Sequence, residues 1–261
     1  MSIISKPLVV AAGICCLALG SATATEVQIK TVMGDINVNL YDDVTPQTVA
    51  NFLSYVKSGA YANNVVHRSE PGFVLQAGGF WYGGVVPLDS VATGIPVANE
   101  PELSNVRGTL AMAKLSGNAN SATSQWFFNL ANNSANLDAQ NSGFTVFGQV
   151  LGNGMEVVDA IAQLSRFNLG GAATNAPLRN YTQADASAEV TVTDEHLVII
   201  TDIVVTDETT LTHSELNPPA NTLINKSADT SQGSSGGGSL SGFSALALLL
   251  IGIRKRFFIQ R

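Results

Sequence analysis

Apolar and polar positions alternate through "VQIKTVMGDINVNLY", and this period of two predicts paired strands over Val27–Val32 and Ile36–Leu40, joined near Met33-Gly34-Asp35. The pattern then changes. Val49, Phe52, Leu53 and Val56 recur at three- and four-residue spacings, one face of a helix that Thr45 caps, Pro46 opens and Gly59 ends. A second helix is predicted over Met155–Leu164, with Val157, Ile161 and Leu164 on one side. Between the helices lie short apolar runs broken by Gly and Asn: Val65–Arg68, Phe73–Ala77, Thr109–Lys114, Gln125–Leu130 and Thr145–Val150. "LVIITDIVV" (Leu197–Val205) is a last strand. Many short strands and two helices predict a mainly β domain, an antiparallel barrel closed or nearly closed and plugged by helices.

The two ends follow neither period. Residues 1–24 carry Lys6, an apolar run from Leu8 to Leu19 and Ala22-Thr23-Ala24, the layout of a secretory signal peptide. Both cysteines, Cys15 and Cys16, lie inside it, and Ile14 is too large for a lipoprotein cut just before a cysteine. The body, 25–208, is therefore free of cysteine and suits an oxidising compartment. A polar stretch with Pro218-Pro219 and "SQGSSGGGS" reads as a linker over 209–239. Residues 240–261 hold an apolar run, Leu240–Ile253, then Arg254-Lys255-Arg256. That run is short for a spanning helix, which needs about twenty residues. Glycines, a short apolar segment and a basic stop resemble GlyGly-type C-terminal sorting signals of Gram-negative bacteria. The tail is either such a signal, cut off on the way out, or a plain membrane anchor.

Charge narrows the partners. Five of the thirteen Lys and Arg (Lys6, Arg254, Lys255, Arg256, Arg261) sit in the two ends, and all twenty acids lie between, leaving −12 there. Nucleic acid needs clustered cations and is not an expected partner. His67, His196 and His213 lack metal-ligand spacing, so no metal is expected, and His67 reads as a structural hydrogen-bonding residue. "AGGFWYGG" has neither phosphate-loop nor dinucleotide spacing.

"VVHRSEPGFVLQAGGF" resembles the H-R-x-x-P-G-F-x-x-Q-x-G-G signature of the cyclophilins, the peptidyl-prolyl cis-trans isomerases or rotamases. "LAMAK" (Leu110–Lys114), "SATSQWFFNL" (Ser121–Leu130) and "FTVFGQV" (Phe144–Val150) are similar to that family's later segments, in the same order. The opening, "GDINVNLYDDVTPQTVANFLSYVKSGAY", follows the family's strand, helix and G-x-Y, and the whole is most similar to the bacterial exported branch. The resemblance implies a closed eight-stranded antiparallel barrel capped by two helices, working without a cofactor. It implies Arg68, Gln76 and Phe127 as catalytic residues, with Phe73, Val74, Ala113, Lys114, Gln125, Leu137 and Phe144 binding substrate. Val74 stands in place of a methionine, Trp126 in place of the first aromatic, and Phe144 near a histidine or tyrosine. Asn136 in place of a tryptophan implies weak or no cyclosporin binding. Ser69-Glu70 replaces a commonly apolar pair, with only a local packing effect expected.

The implied chemistry suits these residues. Rotating a peptide bond costs about 18–20 kcal/mol because its resonance must be broken. In the twisted state the proline nitrogen regains a lone pair and accepts a hydrogen bond, so a fixed donor there stabilises the transition state alone. Arginine is always charged and presents donors in a rigid fork. The expected partners are proline-containing polypeptides, with membrane contact only through the tail, and the protein is expected to be a monomer. An alternative is a docking module that binds proline peptides with little turnover. The bland reading of Arg68, a salt bridge to an acid such as Glu70, stands beside the catalytic one.

Overall fold

The alternation at the start of the chain becomes a hairpin, β1 (Glu26–Thr31) and β2 (Gly34–Leu40), turned through Thr31 opposite Gly34. Gly34 sits at φ +134°, where a Cβ would stand 3.0 Å from Val157, so the turn needs glycine. The computed structural model describes residues 25–208, 213 and 215–224. The expected signal peptide (1–24), the expected tail (240–261) and most of the expected linker (209–239) lie outside the described residues. Among the described residues no helix is long and apolar enough to cross a membrane.

Helix α1 (Pro46–Lys57) follows the hairpin, and Gly59, at φ +71°, ends it by letting the Gly59 and Ala60 amides reach back to the Val56 and Tyr55 carbonyls. Its start differs from expectation. The Thr45 side chain does not cap the helix; its hydroxyl donates to the Tyr41 carbonyl at 3.3 Å. The free amides of Gln47 and Thr48 instead donate to the Glu100 carboxylate at 3.2 and 2.9 Å, and the Thr48 hydroxyl adds a bond of 2.7 Å. An acid from a distant loop thus places its charge at the positive end of the helix dipole. Glu100→Ala is expected to cost about 1–2 kcal/mol of stability, the scale of a lost cap. Glu100→Gln keeps an acceptor and should cost less. Thermal unfolding of the two variants decides: equal melting points for both and the parent would remove Glu100 from the cap.

The remaining strands are short: β3 (Asn64–Val65), β4 (Arg68–Glu70), β5 (Val74–Ala77), β6 (Phe80–Trp81), β7 (Asp89–Ser90), β8 (Thr109–Met112) and β9 (Trp126–Asn129). Helix α2 (Ser134–Leu137), strand β10 (Val146–Val150) and helix α3 (Gly154–Ala162) come next. A two-strand ribbon, β11 (Arg166–Phe167) with β12 (Ala176–Pro177), a short α4 (Gln183–Ser187) and β13 (Ile199–Asp207) complete the body. Eleven strands form one antiparallel sheet in the order β4-β5-β9-β8-β10-β2-β1-β13-β3-β6-β7. The expected closed eight-stranded barrel does not form: the sheet curls and stays open.

The reason lies at Val65–Arg68, expected as one strand. Val65 pairs with Ile199, and the Val66 amide still bonds Val198 at 3.0 Å. From His67 onward the chain bonds β5 instead, His67 N–H to the Gln76 carbonyl at 3.2 Å. Two residues carry the chain from β3, third from one end of the sheet, to β4 at the other end. The seam is crossed by covalent chain and not by a ladder.

Alternation along the strands separates core from site. Leu110 and Met112 of β8, Trp126 and Phe128 of β9, Leu75 and Ala77 of β5 and Phe147 of β10 enter the main core. Phe52 and Tyr55 of α1 and Val158 and Ile161 of α3 pack there too, with Leu53, Val56, Val157 and Leu164 at its margin. The intervening residues, Ala111, Ala113, Phe127, Val74 and Val146, form a second cluster on the other face, with Tyr41, Leu103, Leu137 and Phe144. Residues 165–197 add a third cluster, including Leu169, Leu178 and Tyr181, beside Val65.

Candidate active site

Strand register sets the polar half of the site. Arg68 lies opposite Gln76, Gln76 opposite Phe127, and Phe127 opposite Ala111, so four strands present one row. Arg68 Nη1 donates to Gln76 Oε1 at 3.2 Å, and Gln76 Nε2 donates to Gln125 Oε1 at 2.8 Å. Arg68 Nε lies 3.3 Å from Glu70 Oε1. Asn175 Nδ2 donates to that same oxygen at 2.8 Å, and the Asn175 carbonyl accepts from Ser69 N–H at 2.9 Å. Two partners thus fix the plane of the guanidinium. Burial lowers its pKa and Glu70 pushes back, so it stays charged. The salt bridge of the bland reading exists, and it leaves the rest of the fork free to serve as a donor.

The second cluster is the apolar floor beside this row. Phe127 is 0% exposed and meets Phe144 edge to face at 6.0 Å. Val74, Ala113 and Leu137 are as deeply buried, and half-buried Phe73 packs against them at the rim. The Phe144 amide donates to the Leu137 carbonyl at 2.9 Å, tying the two walls together. The Phe73 carbonyl accepts from Leu130 N–H and Asn133 Nδ2, both at 2.9 Å. Nine of the ten expected residues therefore share one neighbourhood through their side chains.

Lys114 differs. Only 1% exposed, its side chain turns inward and its ammonium donates to Asn99 Oδ1 at 3.1 Å, to the Asn141 carbonyl at 2.9 Å and to the Gly143 carbonyl. It also stands 4.8 Å above the Phe144 ring. Burial takes its pKa down to about 8. Its three acceptors hold a loop in which Asn141, Ser142 and Gly143 are all left-handed, at φ 52°, 62° and 71°.

The model of the family described as "Cyclophilin type peptidyl-prolyl cis-trans isomerase/CLD" matches residues 26–183. The chain belongs to the cyclophilins. The cyclophilin is 43% identical over 149 residues to a peptidyl-prolyl cis-trans isomerase of Acinetobacter baylyi, covering 56% of this chain and 76% of that one. It is 41% identical over 141 residues to peptidyl-prolyl cis-trans isomerase B of Escherichia coli, covering 52% and 82%. A Cryptosporidium parvum cyclophilin type isomerase shares the fold at 24% identity with a TM-score of 0.52, over 71% of this chain and 99% of that one. Its structure in the presence of the dipeptide Ala-Pro gives a TM-score of 0.50. The enzyme is a peptidyl-prolyl cis-trans isomerase.

Several supporting residues of this cyclophilin escaped the sequence reading. Asn175 steadies Glu70 from 105 positions away. Asp138, 1% exposed, accepts from Ser104 Oγ at 2.5 Å, Asn105 N–H at 2.7 Å and Asn105 Nδ2 at 3.0 Å, and Asn105 Nδ2 also reaches the Phe144 carbonyl at 3.0 Å. Asn followed by small residues looks like surface loop in sequence, and only the fold reveals these partners.

His67 is buried, edge-on to Phe80 at 4.8 Å, and burial takes its imidazole down to about 3. It is neutral at neutral pH, and the row from Arg68 to Phe127 contains no group that titrates there. Turnover is expected to be flat from about pH 6 to about pH 7.5. Stability should behave differently. The unfolded chain takes up a proton near 6.5 that the folded chain refuses until about 3. Stability is thus full above the unfolded value and falls with acidification below it, by up to about 1.4 kcal/mol per pH unit. Melting curves against pH for the parent and His67→Gln test this; parallel acid limbs would exclude His67 as the source.

Proposed function

We propose that this isomerase is exported and accelerates X-Pro isomerisation in proteins folding outside the cytoplasm, as a monomer. Arg68 is the donor to the proline nitrogen in the twisted state. The observation that carries this role is the guanidinium gripped at Nε and Nη1 beside the floor at Phe127. Gln76 orients it and Gln125 orients Gln76. Phe73, Phe127, Leu137 and Phe144 hold the proline ring while the preceding carbonyl swings, with Val74 and Ala113 backing them. Gripping the guanidinium beforehand removes the cost of ordering it as charge shifts onto nitrogen. No bond is made, so no nucleophile or general base is required.

The layout of residues 1–24 and the cysteine-free body support export, and the segment after 239 supplies either a sorting signal or a membrane anchor. Fractionation of cells making the full chain, with prolyl isomerisation assayed in each fraction, is the test. Activity outside the cytosol that vanishes when residues 1–24 are deleted is the expected result. Activity confined to the cytosol, with those residues still attached, overturns export. A purified chain that binds proline peptides without turning them over would support the docking module.

A further inference from the structure

Within the stretch expected to be a linker, residues 216–224 return to the body. Leu103 and Ala220 form an antiparallel bridge, flanked by Ser104 N–H to the Pro219 carbonyl and Asn221 N–H to the Glu102 carbonyl, each 2.8 Å. Leu103 belongs to the apolar floor with Phe127, Leu137 and Phe144. Asn221 Nδ2 donates to the Asp138 carbonyl at 2.9 Å, one residue after Leu137. Its Oδ1 meanwhile accepts from the amides of Leu223 and Ile224, at 2.9 and 3.2 Å. The match to the family model stops at residue 183, so this segment lies beyond it.

The loop between Leu137 and Phe144 needs such support. Three successive left-handed residues, two of them not glycine, store strain that persists only where the surroundings over-determine it. Lys114 and Asn99 hold the loop from one side: Asn99 Nδ2 donates to the Ser142 and Gly143 carbonyls at 2.7 and 3.0 Å. Asn221 closes the other side, and its Nδ2 would lie 3.2 Å from a Cβ built on Gly143.

We propose that residues 216–224 are a strap that sets the two walls of the proline pocket, with Asn221 as its positioning residue. This rests on Leu137 and Phe144 being those walls. Asn221 touches no substrate. Its loss lets the 138–144 loop relax, so proline peptides bind less well while the gripped Arg68 keeps its work in the transition state.

The test uses the full chain with Asn221→Ala and Asn221→Asp. Aspartate preserves the turn to Leu223 and Ile224 and replaces the donor to the Asp138 carbonyl by an acceptor oxygen that repels it. Both variants are expected to raise KM for an Ala-Pro peptide about three- to tenfold with kcat within about twofold, and to speed amide exchange at Gly143 and Phe144. An aspartate variant that behaves like the parent overturns the strap's hold on Asp138. A parallel fall in kcat and melting temperature overturns positioning in favour of general destabilisation. Amide exchange reads the strap whatever the turnover: an inactive parent chain would sink the isomerase reading, and unchanged exchange in both variants would sink the strap.

Discussion

Arg68→Ala is expected to lower kcat about 10²- to 10³-fold with KM nearly unchanged, the loss typical of one preorganised transition-state donor. The planar amide nitrogen of the ground state has no lone pair to offer, so the missing bond is absent from binding and present only at the twist. Arg68→Lys separates charge from geometry. A lysine keeps the positive charge but not the fork that meets Glu70 through Nε and Gln76 through Nη1, and it should recover under about a tenth of the lost rate. Removing the guanidinium also leaves Glu70 with Asn175 as its remaining hydrogen-bond partner, a cost of about 1 kcal/mol at this half-buried pair. Glu70→Gln in the Arg68→Ala background should restore that stability without restoring rate. Steady-state turnover and melting of the set are the measurements. A rate loss under about fivefold in Arg68→Ala, or one that Glu70→Gln repairs, would leave Arg68 a structural residue.

Asp138→Ala should destabilise the fold by about 2–6 kcal/mol, since two buried donors lose their acceptor outright at about 1–3 kcal/mol each. Ser104 Oγ and Asn105 N–H would lose their acceptor in a place closed to water, and Asn105 Nδ2 would be left with the Phe144 carbonyl. Asp138→Asn keeps one oxygen and the side-chain shape, and the Ser104 hydroxyl can turn to accept from the new amide, so its cost should be less than half as large. The network reaches Phe144 through Asn105, so the surviving folded fraction of Asp138→Ala should also bind peptide weakly. Denaturant unfolding of both variants settles the point. Equal stabilities for the two would mean that the carboxylate's hydrogen bonds are not what holds this loop.

What sequence alone reveals here follows from where each interaction is encoded. The row of Arg68, Gln76 and Phe127 was legible because short, ordered motifs carry it and strand register completes it. Helix α1 was legible by period and by Gly59, but its cap was not, since Glu100 arrives from 52 residues away. The alternation in β8 and β9 identifies two faces without saying which one is the core. The sheet's closure failed as an expectation because Val65–Arg68 reads as one apolar strand, whereas its pairing changes partner between Val66 and His67. Lys114 was expected to bind substrate from the resemblance alone, and the three oxygens that draw its side chain inward converge only in the fold. The strap was hidden by composition. Pro218-Pro219 and the polar residues around them carry no period, and their partners at 102–104 and 138 lie more than 80 positions back.

The first and last strands of the body are neighbours, with Glu26 opposite Asp207. The ends of this ladder therefore meet at one corner, and residues 216–224 return to the body beyond it. The mechanical consequence concerns tension. Once the 216–224 contacts with Leu103 and Asp138 give way, force on both ends peels β1 from β13 one rung at a time, from Glu26 and Asp207, and never loads the whole ladder in shear. The strap and then the corner yield first, while the chain leading to Arg68 meets β13 at Ile199, the end far from Asp207.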